Sequence, residues 1–406
     1  MLDVAFARSF FPALASGWAL FDNTGGTVVP HPVAERVSHY LARYGMQIGA
    51  GYAPSQEASA LVAAGREAAA RLIGAEPDEV ILSGSTTLNT LLLAQAIGPW
   101  FQPGDEIVVT NLDHEANIGA WRRLEAQGLV LREWRFDPAS FELELGALDA
   151  VLSERTRLVC FTQCANMVGL IYDAARVVDR VHRAGALALV DGVAFAPHRK
   201  VDVHALGADF YLVSLYKILG PHVGMLYGQK RHWLSARNLN HFFFGDDEVP
   251  YKLQPGNVNH ELTAGLAGIA DYLDALYYHH FAEEAEPELR QRAVFELFER
   301  HEERLVAPLV AFLAGHPRAR LLGPPEASRE RRVAIVAFVP EGRHPREVAE
   351  ALAAEEIAVR WGHFYAYRAI RELGLLDQGG VVRLSLAHYN TEAEVSRLIE
   401  ALGRVL

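Results

Sequence analysis

From about residue 55 to residue 230, short apolar runs alternate with longer stretches whose apolar residues recur at helical spacing. Glu79–Ser83, Glu106–Thr110, Thr156–Thr162, Ala186–Asp191 and Asp209–Ser214 are apolar, with turn residues close by, and read as buried strands. Thr86–Ile97 and Ala174–Ala184 read as helices between them. This alternation predicts an α/β fold with a mostly parallel sheet covered on both faces. In such sheets ligands bind beyond the carboxyl ends of the strands.

The rhythm then changes. Helical patterns at Thr263–Leu276 and Pro287–Gly315 lead away from the sheet, and a Pro- and charge-rich segment, Gly323–Arg332, follows. Beyond it the pattern predicts strand Val333–Val339, helix Pro345–Glu355, strands Ile357–Trp361 and Val381–Leu386, and helix Glu392–Leu402. The expected organisation is an N-terminal segment (1–20), a large domain (21–290) and a small C-terminal α+β domain (291–406). At 406 residues the chain is long enough for two such cores.

A formal charge of -12 argues against a nucleic-acid or anionic-membrane surface. No stretch reaches the ~18 apolar residues of a membrane span. The two cysteines, Cys160 and Cys164, match no zinc spacing and read as reduced and non-ligating, so no metal is expected. The expected compartment is the reduced cytoplasm.

Candidate chemistry gathers where the predicted strands end. Lys217 follows DFYLVSLY and precedes a glycine-bearing turn; desolvation lowers the pKa of such a lysine, which suits a Schiff-base amine, although an edge lysine reaching for water has the same look. Asp191 ends the strand before it and can pair with a protonated pyridine nitrogen, or cap a turn. Gly84-Ser85-Thr86, between a strand and a long helix, can cup a phosphate or serve as a plain helix cap. His114, within DHEAN, can lie over an aromatic cofactor or be a polar loop residue.

These pieces, in this order, resemble the class V aminotransferase family, in its cysteine desulfurase-like branch. The matching segments are GSTTLN, DHEANIGAW, CANMVG, VDGVAFAPHRKVDVHALGADF, SLYKILGPHVGMLYG and RLSLAHYNTEAEV, from about residue 20 to 405. The resemblance implies a fold-type I enzyme dependent on pyridoxal 5'-phosphate (PLP) and acting on a small amino-acid substrate. It implies Lys217 as the Schiff-base lysine and proton carrier, Asp191 on the pyridine nitrogen, His114 on the ring, and Asn166 near the phenolic oxygen. Ser85, Thr86, Ser214 and Tyr216 would hold the phosphate, and Arg383 the substrate carboxylate. In the family the segment near Asn257 reaches the neighbouring subunit's phosphate, so a homodimer is expected.

Three departures stand out. In the loop Arg360–Ala366 the position of the family's sulfur-accepting cysteine holds Tyr365, and a phenol cannot accept sulfur. Ala194 stands where the family places Gln or His on the phenolic oxygen. His363, Tyr365 and Tyr367 make the loop aromatic, suited to substrate contact by His363 and Tyr365 or to packing. The reading is therefore a C–S or other β-eliminating lyase without a persulfide cysteine. The alternative is a specialised biosynthetic enzyme of the isopenicillin N epimerase-like type, carrying out epimerisation, transamination or carbon–carbon bond formation.

Overall fold

A computed structural model describes residues 1–406 in full. In chain order its strands are β1 (Ala19–Leu20), β2 (Val80–Ser83), β3 (Glu106–Thr110), β4 (Val130–Trp134), β5 (Thr156–Thr162), β6 (Leu187–Asp191), β7 (Phe210–Ser214) and β8 (Gly224–Gly228). They are followed by β9 (Ala319–Leu321), β10 (Ile335–Pro340), β11 (Ile357–Ala358), β12 (Arg360–Gly362) and β13 (Val381–Ser385). Strands β2 to β8 form one sheet in the order β2-β8-β7-β6-β5-β3-β4, parallel except for β8, which runs antiparallel to both neighbours. Every residue of β3, β7 and β8 is buried, because helices cover both faces of the sheet.

The five strands expected in this region are all present, two in the predicted register and the others one residue shorter at the start. Two members were not foreseen. β4 lies at the sheet edge and is half exposed, so its residues VLREW lack an apolar run. β8 (GMLYG) is bracketed by glycines that look like turn signals.

A second sheet, β12-β13-β10-β9, is antiparallel and packs against the helices Pro345–Ala353 and Glu392–Val405. The predicted strand Ile357–Trp361 is split: β11 pairs in parallel with β1, whereas β12 pairs with β13. The N-terminal segment is thereby stitched to the C-terminal part, and Ala19 and Phe21 belong to its core. The 29-residue helix Pro287–Gly315 joins the two cores, with Val294, Phe295 and Phe298 in the larger and Leu305, Leu309 and Leu313 in the smaller. The helical stretch expected at Thr263–Leu276 is two helices, His260–Gly265 and Ala267–His280, meeting at Leu266.

Candidate active site

Five strand ends converge on one cavity of about 490 Å³, lined by Ser85, Thr86, His114, Asn166, Asp191, Ser214, Tyr216 and Lys217 among others. β2 delivers Ser85, whose extended backbone (φ -168°) and side chain cap the helix Thr86–Ile97, Oγ accepting from the Leu88 N–H at 3.1 Å. Thr86 Oγ1 lies 2.6 Å from Ser214 Oγ and donates to the Val213 carbonyl. Hydroxyls and helix-start N–H groups of this kind form an anion cup. Gly224 on β8 makes the close approach possible: a Cβ there would overlap the Ser85 carbonyl carbon and the Thr86 nitrogen.

Asp191, at the end of β6, accepts one backbone N–H, from Val193 at 2.9 Å. Burial raises its pKa to about 6, against the opposing pull of that hydrogen bond and of Lys217. Lys217 closes a short 3-10 turn after β7 and is buried, which lowers its pKa to about 8, with Arg383 adding to the effect. The turn is held by Thr27. Leu219, at φ +64°, donates its N–H to Thr27 Oγ1 at 3.0 Å, and the Thr27 N–H donates to the Tyr216 carbonyl at 3.1 Å.

His114 Nδ1 accepts the Ala116 N–H at 3.1 Å, which places any ring proton of the neutral form on Nε2. Burial, helped by Lys217 and Arg383, lowers its pKa to about 3, so the ring is neutral. Beyond it opens a second cavity of about 1160 Å³, lined by Lys217, Asn166, Arg360, His363, Tyr365 and Arg383 among others. Phe364 and Tyr365 both hold positive φ, +51° and +58°, a strained conformation for such residues. The loop is fastened there by Asn166 Nδ2, which donates to the Phe364 carbonyl at 2.9 Å, and by the Glu115 N–H, which donates to the Tyr365 carbonyl at 2.9 Å. Tyr365 lies 5.0 Å from the His114 ring, centroid to centroid.

Arg383 on β13 is buried, and its guanidinium lies 4.0 Å over the Phe364 ring. It donates to the Asn166 carbonyl at 3.1 Å and to Asp22 Oδ1 at 3.2 Å, while its Nε has no partner. Burial lowers its pKa to about 10, which still leaves it charged at neutral pH.

Of the residues singled out in the sequence, Asn257 and Tyr367 are placed outside both cavities. Asn257 follows Gly256 in a loop at φ +74°, and its own side chain accepts the Val258 N–H. Cys164, set aside from the sequence, lines the cofactor-sized cavity; it is fully buried and burial pushes its thiol far up. Asp22, Thr24, Thr27 and Arg360 were missed. The segment DNTGGT carries the signals of a turn, and only a pairing across 361 positions brings Asp22 to Arg383.

The donors fit PLP: a hydroxyl and N–H cup for a phosphate, an acidic side chain with a single hydrogen bond, and a buried lysine share one cavity. Sheet and site together define a PLP-dependent enzyme of fold type I. The model of the family "Aminotransferase class-V" matches residues 19–398, and the chain belongs to that family. It is similar to the aminotransferase-like protein FGM3 of Gibberella zeae, 37% identical over 408 residues, covering 98% of this chain and 97% of that protein. The cysteine desulfurase-like protein ustD of Aspergillus flavus is 32% identical over 417 residues, covering 100% of this chain and 91% of the relative. The solved apo structure of a cysteine desulfurase from Thermococcus onnurineus superposes with a TM-score of 0.88 at 25% identity, covering 100% of this chain and 98% of that one. No helix is long and apolar enough to cross a membrane.

Proposed function

We propose that the chain is a PLP-dependent lyase that deprotonates an α-amino acid at Cα and releases its β-substituent, with cysteine-related amino acids as substrates. The observation that carries this reading is the junction of the two cavities at Lys217. The lysine faces the cup on one side and Arg383 on the other, and no thiol stands in the loop between them.

PLP, when bound, supplies an electron-withdrawing ring that stabilises negative charge at the substrate Cα. Ser85, Thr86, Ser214 and Tyr216 hold its phosphate, and Asp191 keeps its ring nitrogen protonated. Asn166 serves the phenolic oxygen, and neutral His114 covers the ring. Arg383 takes the substrate carboxylate through its unpartnered Nε, since a buried donor without an acceptor is costly until one arrives. Lys217, with its pKa lowered to about 8, moves the Cα proton. The Cβ–sulfur bond then breaks, sulfur leaves with the electron pair as sulfide, and water hydrolyses the remaining unsaturated amino acid to pyruvate and ammonia. His363 and Tyr365 border the side-chain end of the substrate. Asn257, remote from its own chain's site, serves the phosphate of a second copy in a homodimer.

The test is product analysis of PLP-loaded enzyme given L-cysteine, L-cysteine sulfinate or L-alanine. Sulfide with pyruvate and ammonia from L-cysteine supports the lyase, and accumulation of neither overturns it. Ala194 and the aminotransferase-like relative favour, as a second reading, a biosynthetic reaction at Cα. Deuterium entering Cα from heavy water with no loss of amine would establish that reading instead.

A further inference from the structure

The helix Tyr367–Glu372 follows closely on the loop that carries His363, Phe364 and Tyr365. Arg368 and Arg371 of this helix line an open depression together with Glu115, Arg122 and Glu133, and that depression shares no residue with the larger cavity beside Lys217. Arg368 is mostly covered there, its side chain 14% exposed. Its Nε donates to Glu115 Oε2 at 3.4 Å and its Nη1 to Glu133 Oε1 at 2.6 Å.

The pair belongs to a chain of alternating charges. Glu133, on the edge strand β4, also takes Arg135 at 3.1 Å, and Arg135 pairs with Glu372 at the far end of the same helix. The helix is thereby tied to the sheet edge at both ends. Among its charged side chains Arg368 alone reaches Glu115, the residue next to His114. Glu115 then makes two different contacts, its carboxylate with Arg368 and its N–H with the Tyr365 carbonyl at 2.9 Å. The backbone held in this way is the positive-φ pair Phe364 and Tyr365, and the Phe364 ring supports the Arg383 guanidinium. A strained backbone persists only where its surroundings over-determine it. An isolated ion pair in water would contribute little to that, whereas a covered guanidinium shared by two carboxylates within a network contributes more.

We propose that Arg368 is a positioning residue for the substrate. By joining Glu115 to Glu133 it locks the loop onto the His114 turn, which keeps the Phe364 ring against Arg383 and the Tyr365 ring beside His114. Arg368 itself lines neither cavity at Lys217 and acts only through these neighbours. The proposal rests on the lyase reading, in which the larger cavity receives the amino acid.

The test compares PLP-loaded wild type with Arg368→Gln, Arg368→Lys, Glu115→Gln and the double variant Arg368→Gln with Glu115→Gln. Arg371→Gln, at an exposed neighbour on the same helix, is the control. The readouts are KM and kcat for L-cysteine, hydrogen exchange of the peptide holding the Glu115 amide, and melting temperature as a check on folding. Arg368→Gln should raise KM roughly threefold to tenfold with a smaller change in kcat, the size expected when a partly covered charged contact is lost. Exchange at Glu115 should quicken in step, because its acceptor is the Tyr365 carbonyl. Lys keeps the charge but not the fork, so Arg368→Lys should recover part of both effects. The double variant should be no worse than Arg368→Gln alone, since residues acting as one contact are not additive. Unchanged exchange in Arg368→Gln overturns the proposal. So does a lower melting temperature with KM unchanged, which would make the network a stability device only, and so does an equal rise in KM from Arg371→Gln. A wild type that turns over no amino acid would instead defeat the functional reading beneath, and exchange at Glu115 would still decide whether Arg368 holds the loop.

Discussion

Arg360 and Arg383 stand directly opposite each other on β12 and β13, and Asp22 bridges them, Oδ2 2.7 Å from Arg360 Nε and Oδ1 3.2 Å from Arg383 Nη2. Like charges paired across a ladder repel, so the carboxylate is what lets both guanidiniums line the larger cavity beside Lys217. Arg383 is the more deeply placed, clasped between Asp22, the Asn166 carbonyl and the Phe364 ring.

Replacing Arg383 by Lys keeps the charge and loses the planar fork that matches a carboxylate. The expected result is a rise in KM of roughly tenfold to a hundredfold, from the loss of a charge-assisted hydrogen bond of about 1.5–3 kcal/mol. The visible spectrum of bound PLP should be unchanged. Steady-state kinetics beside a spectrum checks both halves.

Asp191 gives a pH signature in the apoprotein. Its folded pKa is about 6 and lies above the ordinary carboxylate value, so its favourable contribution is present at low pH and is lost as pH rises through 6. Asp191→Asn keeps an acceptor for the Val193 N–H and removes the charge. The variant should melt above wild type at pH 8 and level with it near pH 4, while holding PLP less tightly at both. Calorimetry of the apo forms across that range decides; equal melting temperatures at pH 8 would contradict the assigned burial.

Gly224→Ala forces a methyl into the backbone of Ser85 and Thr86. Backbone cannot swing away as a side chain can, so β8 and the cup must separate. A destabilisation of about 1–3 kcal/mol is expected from overpacking, together with a greater fractional loss of PLP affinity than of stability. Denaturant unfolding and dialysis measure the two.

At Tyr365, positive φ is expensive for a residue with a Cβ. Tyr365→Gly should raise the stability of the apoprotein by about 0.5–1 kcal/mol and lower kcat/KM, because the ring beside His114 is gone. A variant that loses stability instead would show that the aromatic contact outweighs the backbone strain.

The sequence was most legible where one physical rule acted alone. β3 and β7 are buried along their whole length, and Lys217, Asp191 and Ser85 lie at or just past the ends of such buried strands. β4 was hidden because an edge strand carries Arg132 and Glu133. β11 and β12 merged because the break between them comes from partners far away in sequence, β1 and β13, and not from any turn residue. Thr24 escaped for the same reason. Its neighbours Asp22 and Gly25 advertise a turn, and only the folded chain shows that Thr24 is buried and lines a cavity together with Lys217.

The stitch between β1 and β11 has a consequence for the order in which the protein becomes competent. Every cup residue lies between positions 85 and 217, whereas the carboxylate clamp joins Asp22 to a residue 361 positions later. At ribosomal speeds of ~5–20 residues per second, about 20 to 70 s separate the making of the two halves of that clamp. Lys217 precedes Arg383 by 166 residues, roughly 8 to 33 s at those speeds, in which, on the reading proposed above, the place for the cofactor is complete before the means of gripping an amino acid exists.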